Sequence, residues 1–250
     1  MNNAQTFSNQ SDQYAKNRPQ YPSELFQFLS EICKHHDLVW DCATGNGQAA
    51  VSCAEFFSQV EATDLSPEQI QHHISHPRVR YSVSPAEQTS FENQSFDLIT
   101  VAQAVHWFDL ETFYQEVDRV LKPNGILAIW GYGFLEIEPQ IDGLIAEYLL
   151  KPIDPFWASG NRLVMNSYRD LALPFEQINI PKTFNMNIPW NLAQLSAYFR
   201  TWSAVKRYRS ELNSDPVSHL ETALMEIWDD PEKTKLIHMP IFLKACKKPA

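Results

Sequence analysis

Two acids and a pair of glycines carry the most chemistry in this chain. In Val39-Trp40-Asp41-Cys42-Ala43-Thr44-Gly45-Asn46-Gly47-Gln48 a short apolar run reaches Asp41 and then a glycine turn that opens a helical pattern. Gly45 and Gly47 let the backbone turn tightly and approach a ligand with no Cβ in the way, and the N–H groups at the start of the next helix face the same spot. Gly45-x-Gly47-x-x-Ala50 also satisfies the loose dinucleotide fingerprint, and a glycine pair between strand and helix occurs as plain turn chemistry. A second acid, Asp64, closes the run Val60-Glu61-Ala62-Thr63-Asp64. A strand-end carboxylate about 20 residues past a glycine turn can accept from both hydroxyls of a ribose. Taken singly, Asp64 is also a candidate helix-capping acid, because Leu65-Ser66-Pro67-Glu68 starts a helix with Ser as N-cap and Pro at the first position.

A third group follows the apolar run at 96–102, where Gln103, His106, Trp107 and Phe108 fall just past a strand. His106 can take a proton from a hydroxyl or amine, or donate to a carboxylate; a packing or capping histidine is the competing assignment. Cations are interleaved with aromatics in Tyr198-Phe199-Arg200-Thr201-Trp202-Ser203-Ala204-Val205-Lys206-Arg207-Tyr208-Arg209, which reads as one helix. That pattern serves a solvated face or a binding surface equally well. Ahead of all of these, Tyr14-Ala15-Lys16-Asn17-Arg18-Pro19-Gln20-Tyr21-Pro22 is rich in ring and guanidinium groups, and is either a lid over a bound ligand or an ordinary tail.

The elements that must hold these groups alternate. Strand-like runs at 38–41, 59–64, 79–83, 96–102 and 125–130 are separated by helical patterns at 47–57, 66–74 and 110–121, which predicts parallel strands joined by crossover helices in an α/β, doubly wound sheet. Helical material interrupted by Lys151-Pro152 and Asp154-Pro155 runs from about Pro139 to Tyr168 and predicts a cap. Strand material at 175–188, helices at 192–210 and 216–228, and a last strand at 236–246 follow; Pro240 favours an edge or a bulge for that strand.

As a set, these residues resemble the class I S-adenosylmethionine-dependent methyltransferases from about Tyr14 onward. Asp41-Cys42-Ala43-Thr44-Gly45-Asn46-Gly47 is similar to that family's D-x-G-x-G-x-G loop, with Ala43 in place of the first glycine; Ala43 permits close approach but forbids a left-handed backbone at modest energy. Asp64 matches the ribose-binding acid, Ser84-Pro85-Ala86-Glu87 the segment beside the adenine, Phe96 to Trp107 the fourth strand and its loop, and Leu121-Lys122-Pro123-Asn124-Gly125 the turn into the fifth. The resemblance implies a mostly parallel, seven-stranded Rossmann-like sheet with a helical cap insertion, and S-adenosylmethionine as cofactor. The cofactor contacts it implies are Tyr14, Arg18, Asp41, Ala43, Gly45, Gly47, Asp64, Leu65, Ala86, Glu87, Ala102 and Gln103, with His106 and Trp107 at the reacting centre. It divides the chain into a lid at 1–22, a cofactor-binding core at 23–135, a cap at 136–215 and a closing helix and strand at 216–250.

A narrower similarity, to the trans-aconitate methyltransferase-like branch, implies a small acidic acceptor methylated on a carboxylate oxygen. Such an acceptor has no proton to lose, so a cationic clamp matters more than a base, and Arg162, Arg200 and Arg207 are its candidates. The alternatives are an NAD(P)-binding oxidoreductase and a non-catalytic module that keeps the cofactor fold. Asp41 and Ala43 argue against the first, since they stand where a dinucleotide fold has its first glycine.

Composition bounds the rest. With 250 residues, 44% hydrophobic and 20% charged, the chain can bury a full core. A net charge of −10 argues against nucleic acid as the main partner and for a small-molecule acceptor. Cys33, Cys42, Cys53 and Cys246 have neither metal-site nor disulfide spacing, so no metal is expected. No apolar run approaches the roughly 18 residues of a membrane span, so a cytoplasmic location is expected. Oligomeric state is left open.

Overall fold

The computed structural model describes residues 20–250, so Tyr14, Arg18 and most of the expected lid at 1–22 lie outside the described residues. Helix α1 (Ser23–Ile32) precedes β1 (Leu38–Cys42). Then follow α2 (Gln48–Ala54), β2 (Gln59–Asp64), α3 (Pro67–Gln71), β3 (Val79–Val83) and β4 (Phe96–Ala102). β1 pairs in parallel with β2 on one side and β4 on the other, with Val39 opposite Val60 and Leu98. Sandwiched in this way, β1 and β4 are apolar on both faces, and Val39, Trp40, Leu98, Ile99 and Val101 are all fully buried.

Helix α4 (Leu110–Val120) crosses to β5 (Leu121–Tyr132). Asp109 caps it by accepting from the Thr112 amide at 3.2 Å, and Phe113, Val117 and Val120, spaced by four and three residues, bury one face. β5 begins earlier than the 125–130 run expected because its register against β4 shifts between Phe96 and Leu98, which absorbs Pro123 and a left-handed Asn124.

The cap begins with α5 (Pro139–Ile145), which runs through a π turn at Ala146–Leu150 into short helical pieces as far as Phe156, and continues with α6 (Asn161–Met165). Strands β6 (Glu176–Gln177) and β7 (Phe184–Trp190) lead into α7 (Leu192–Thr201), α8 (Ser203–Leu212), α9 (Pro216–Met225) and β8 (Lys235–Lys247). The helix expected over 192–210 is thus two helices. Trp202 takes an extended backbone between them, with ψ 136°, and its ring packs on Phe134, Trp157, Tyr198 and Phe199. Aromatic burial outweighs the small propensity gain of an unbroken helix there.

The sheet has eight strands where seven were expected. Its order is β3-β2-β1-β4-β5-β8, and the position beyond β8 is shared by two segments, β6 against Cys246 and Lys247 and β7 against Lys235 to Ile241. β8 runs antiparallel to β5. Pro240 pairs with β7 on one side, but on the side facing β5 it lies at a local edge, where the register slips by one residue between the Tyr132–Ile241 pair and the Glu136–His238 bridge, as the sequence favoured. Its carbonyl accepts from Gly133, just past the end of β5, so the side on which Pro lacks an N–H faces a strand that has already ended.

Two apolar layers flank the sheet. One packs α1, α2 and the cap helices on it; the other gathers Trp40, Phe96, Phe113, Ile129 and Tyr168. All four cysteines are buried and free, and burial pushes the thiols of Cys33 and Cys246 up to about 12 and about 11.

Candidate active site

Three strand ends meet on the carboxyl edge of the sheet: β1 with its glycine loop, β2 with Asp64, and β4 with the Gln103–Trp107 segment. Four positive-φ residues lie there. Ala43 (φ 54°), Gly45 (φ 59°), Gly47 (φ 93°) and Gln103 (φ 56°) all adopt left-handed conformations. For a residue other than glycine such a conformation persists only where the surroundings fix it. Ala43 therefore does what the sequence argued alanine would resist, at a cost of about 1–2 kcal/mol.

Gly47 has no substitute in this packing. A Cβ there would stand 2.2 Å from the Tyr81 hydroxyl oxygen, and that hydroxyl is fixed by donating to the Ile74 carbonyl at 2.7 Å. The loop keeps its shape through the two acids. Asp41, 1% exposed, accepts from the Thr44 hydroxyl at 2.5 Å and the Thr100 hydroxyl at 2.7 Å, tying loop to β4. Burial raises its carboxyl to about 6, with the two hydroxyls and the Ala50 amide partly offsetting that rise. Asp64 accepts from the Gly45 amide and from the Ser66 amide, each at 2.8 Å. Each Asp64 oxygen therefore keeps acceptor capacity for a further donor. Its neighbour Leu65 is 62% exposed, an apolar side chain left in water beside a carboxylate. A backbone-lined turn, a strand-end acid with spare acceptors and an uncovered apolar side chain fit the pyrophosphate-free, ribose- and adenine-bearing shape of S-adenosylmethionine.

Ala86 is buried, and Glu87 accepts from the Asp109 amide at 3.1 Å, which brings the segment after β3 to the segment after β4. Ala102 ends β4, and Gln103 bonds back to β5: its amide donates to the Trp130 carbonyl at 2.9 Å and its Nε2 to the Tyr132 carbonyl at 3.3 Å. His106 lies in a short turn with its ring 4.7 Å from that of Trp107. Its Nδ1 is 3.1 Å from the hydroxyl oxygen of Tyr168, and burial lowers the imidazole to about 4. His106 is therefore neutral near pH 7, and Tyr168, whose phenol burial pushes up, stays neutral as well.

The three candidate clamp arginines are not brought together. Arg200 gives Nε to Asp215 at 3.0 Å and Nη1 and Nη2 to Glu221 at 2.8 and 2.7 Å, so its donors hold α7 to α9. Arg162 pairs with Asp154 at 2.9 Å on an exposed face of the cap. Arg207 donates one Nη1 hydrogen bond to the Phe156 carbonyl at 3.0 Å and has no ion pair among the described residues. Among the described residues no cluster of His, Cys, Asp and Glu could hold a metal ion.

Several site neighbours carry no sequence signal. Tyr168 reaches His106 from 62 positions away, and Tyr81 fixes Gly47 from β3. Gly160 lies so close to the His106 carbonyl that a Cβ would stand 2.6 Å from its oxygen. Only the Gly160 approach had a readable cue, a glycine inside a helical stretch.

Residues 40–129 match the family model described as a methyltransferase domain. A Dictyostelium discoideum protein named as a methyltransferase is 31% identical, over 97% of this chain and 94% of its own length. A Saccharomyces cerevisiae protein named as an S-adenosylmethionine-dependent methyltransferase is 29% identical over 52% of this chain and 47% of its own. The solved structure of a protein from Anaeromyxobacter dehalogenans, described as a type II methyltransferase, superposes with a TM-score of 0.88 at 34% identity, covering 93% of this chain and 99% of that one.

Proposed function

The chain belongs to the class I S-adenosylmethionine-dependent methyltransferases, and from that premise we propose that it methylates a small organic acid held above the carboxyl ends of β4 and β5. The cofactor is S-adenosylmethionine, which supplies an activated methyl group for in-line displacement. Asp41 shapes the loop that receives it. Asp64 offers its spare oxygens to the ribose hydroxyls, and Leu65, Ala86 and Glu87 border the adenine.

The chain's own task is then positioning. Holding an acceptor atom in line can lower a barrier by about 7–11 kcal/mol, whereas a carboxylate acceptor needs no base. A neutral His106 fits that requirement, because it places no competing positive charge beside the reacting atoms and can donate or accept one hydrogen bond. Arg207 is the clamp arginine with donors to spare, and it is the cation we assign to the acceptor's carboxylate. A cytoplasmic location belongs to the same proposal.

The observation that carries this reading is the pair of loops at the strand ends, one tied by Asp41 and Asp64 and the other turning at a left-handed Gln103. Transfer of radiolabelled methyl from S-adenosylmethionine to a panel of small organic acids tests it, with protein and RNA as parallel acceptors. Label in a small acid supports the proposal. Label confined to macromolecules overturns the acceptor assignment, and failure to bind the cofactor overturns the whole.

A further inference from the structure

Packing explains the ring of Tyr168 but not its hydroxyl. The chain leaves α6 through Ser167 and Tyr168, two successive residues other than glycine with left-handed φ of 53° and 52°. Their amides donate to the Val164 and Leu163 carbonyls, each at 2.8 Å, and the turn they close carries the Tyr168 ring into the apolar layer that holds Trp40, Phe113 and Ile129. There it meets Phe242 of β8 edge-on at 5.0 Å and is fully buried. A phenylalanine would fill that space as well. A hydroxyl taken out of water costs free energy unless it is bonded, and among the described residues the one partner of this hydroxyl is Nδ1 of His106, at 3.1 Å.

Counting donors assigns the protons. The phenol has one hydrogen, and the neutral imidazole has one N–H for two nitrogens that point to different sides of the ring. Were that hydrogen on Nδ1, it would go to the phenol oxygen and leave the buried O–H with no acceptor among the described residues, a cost that the reverse arrangement avoids. With the phenol donating to Nδ1, the imidazole hydrogen sits on Nε2, which points away from Tyr168 on a partly exposed ring in the turn after β4. Resting on the methyl transfer to an acid proposed above, we propose that Tyr168 is a positioning residue: it holds His106 as the Nε2–H tautomer, so that His106 meets the acceptor's carboxylate as a hydrogen-bond donor and not as a base. An N–H bonded to one carboxylate oxygen leaves the other free to line up with the methyl group. That oxygen forms the new O–CH₃ bond as the S–CH₃ bond breaks, the electron pair of the broken bond stays on sulfur, and no proton moves.

The test reads the tautomer by long-range proton–nitrogen NMR correlation of the imidazoles in the full, isotope-labelled chain, with His106→Gln identifying the His106 signals among the eight histidines. In the parent chain His106 should show a protonated Nε2 and an unprotonated, hydrogen-bonded Nδ1. Tyr168→Phe keeps the ring and removes the donor. The Nδ1 signal should then move to that of an unbonded nitrogen, and kcat for methyl transfer to a small organic acid should fall about three- to tenfold, the worth of one hydrogen bond, with S-adenosylmethionine affinity unchanged. His106→Gln supplies an N–H donor and no base, so it should stay at least about threefold more active than His106→Ala. A parent His106 protonated at Nδ1, a Tyr168→Phe chain whose His106 signals and kcat match the parent's, or a His106→Gln chain no more active than His106→Ala overturns the inference, and the first of these needs no variant to fold. Absence of transfer to any acid would overturn the function proposed above and the donor role with it, while the parent spectrum would still decide the tautomer by itself.

Discussion

The part of the site that we assign to the cofactor and the part that we assign to the acceptor are built over strand ends from opposite materials. The first is made of backbone turns and ionisable acids that come from one stretch of sequence, Asp41 to Ser66. The second is made of rings and one neutral imidazole drawn from the segment after β4 and from the cap. Burial acts on both and shifts their proton affinities in opposite directions: Asp41 rises to about 6 and His106 falls to about 4. The difference teaches that burial at one low-dielectric edge makes an acid easier and a base harder to protonate, so near pH 7 the imidazole is neutral while Asp41 remains mostly ionised and is held by its hydroxyl donors.

The largest effect expected from disturbing either half is steric. Gly47→Ala combines a left-handed φ of 93° with a Cβ driven into Tyr81, and should cost about 2–5 kcal/mol in urea unfolding along with cofactor affinity. Unchanged stability would show that Tyr81 swings aside freely and that the turn is not fixed as described.

Next comes the pH dependence, where the two halves should part. Asp41 is bound to its proton more tightly in the folded chain than its ordinary 3.8, so it stabilises the fold more as pH falls from about 6 towards 4 and less as pH rises. His106 is harder to protonate than its ordinary 6.5, so the fold loses stability as pH falls from about 6.5 to 4. Each contribution is about 3 kcal/mol, and in the parent chain they oppose each other. The unfolding free energy measured across this range should therefore fall with acid more steeply than the parent's in Asp41→Asn and rise with acid in His106→Gln. Identical profiles in both variants would remove the contrast.

A smaller and more local effect is expected at Asp64. Asp64→Ala should weaken S-adenosylmethionine binding at least about tenfold by calorimetry, the equivalent of about 1.5–3 kcal/mol for a lost charged acceptor, while leaving acceptor affinity nearly unchanged. Ala43→Gly should do least. It relieves a left-handed alanine but loosens the unfolded chain, for a net gain of about 1 kcal/mol or less. A clear loss of stability on that change would mean that the methyl group packs in a way the backbone angle does not reveal.

The same contrast governs what could be read from sequence. The glycine loop, Asp64 with its Ser66 cap, and the alternation of β1 to β5 with crossover helices were legible because each depends on neighbours within a few residues. Ala43 shows where local logic stops: the position was recognised, but its positive φ is imposed by Asp41 and Thr44 holding the loop. The acceptor half was not legible because its members touch only after the cap folds. Arg200 looked like a free cation until Asp215 and Glu221 arrived from the N-cap and body of α9, and Trp202 looked helical until four other rings claimed it. The eighth strand arises because the strand material expected over 175–188 breaks in two, with Glu176–Gln177 and Phe184–Trp190 pairing with different stretches of β8.

The long reach of β8 also sets the order in which this chain can mature. β5 is the last parallel strand, and its partner follows only after the entire cap has been made. During translation the Ile126–Tyr132 edge, apolar and unpaired, must wait through that interval as an open template for strand addition by other chains. Sequence separation of this size slows the closing step, so the nascent chain's exposure to aggregation and to chaperones is governed by how fast β8 arrives. Slowing elongation over the cap codons should lower soluble yield without altering a single contact of the finished enzyme.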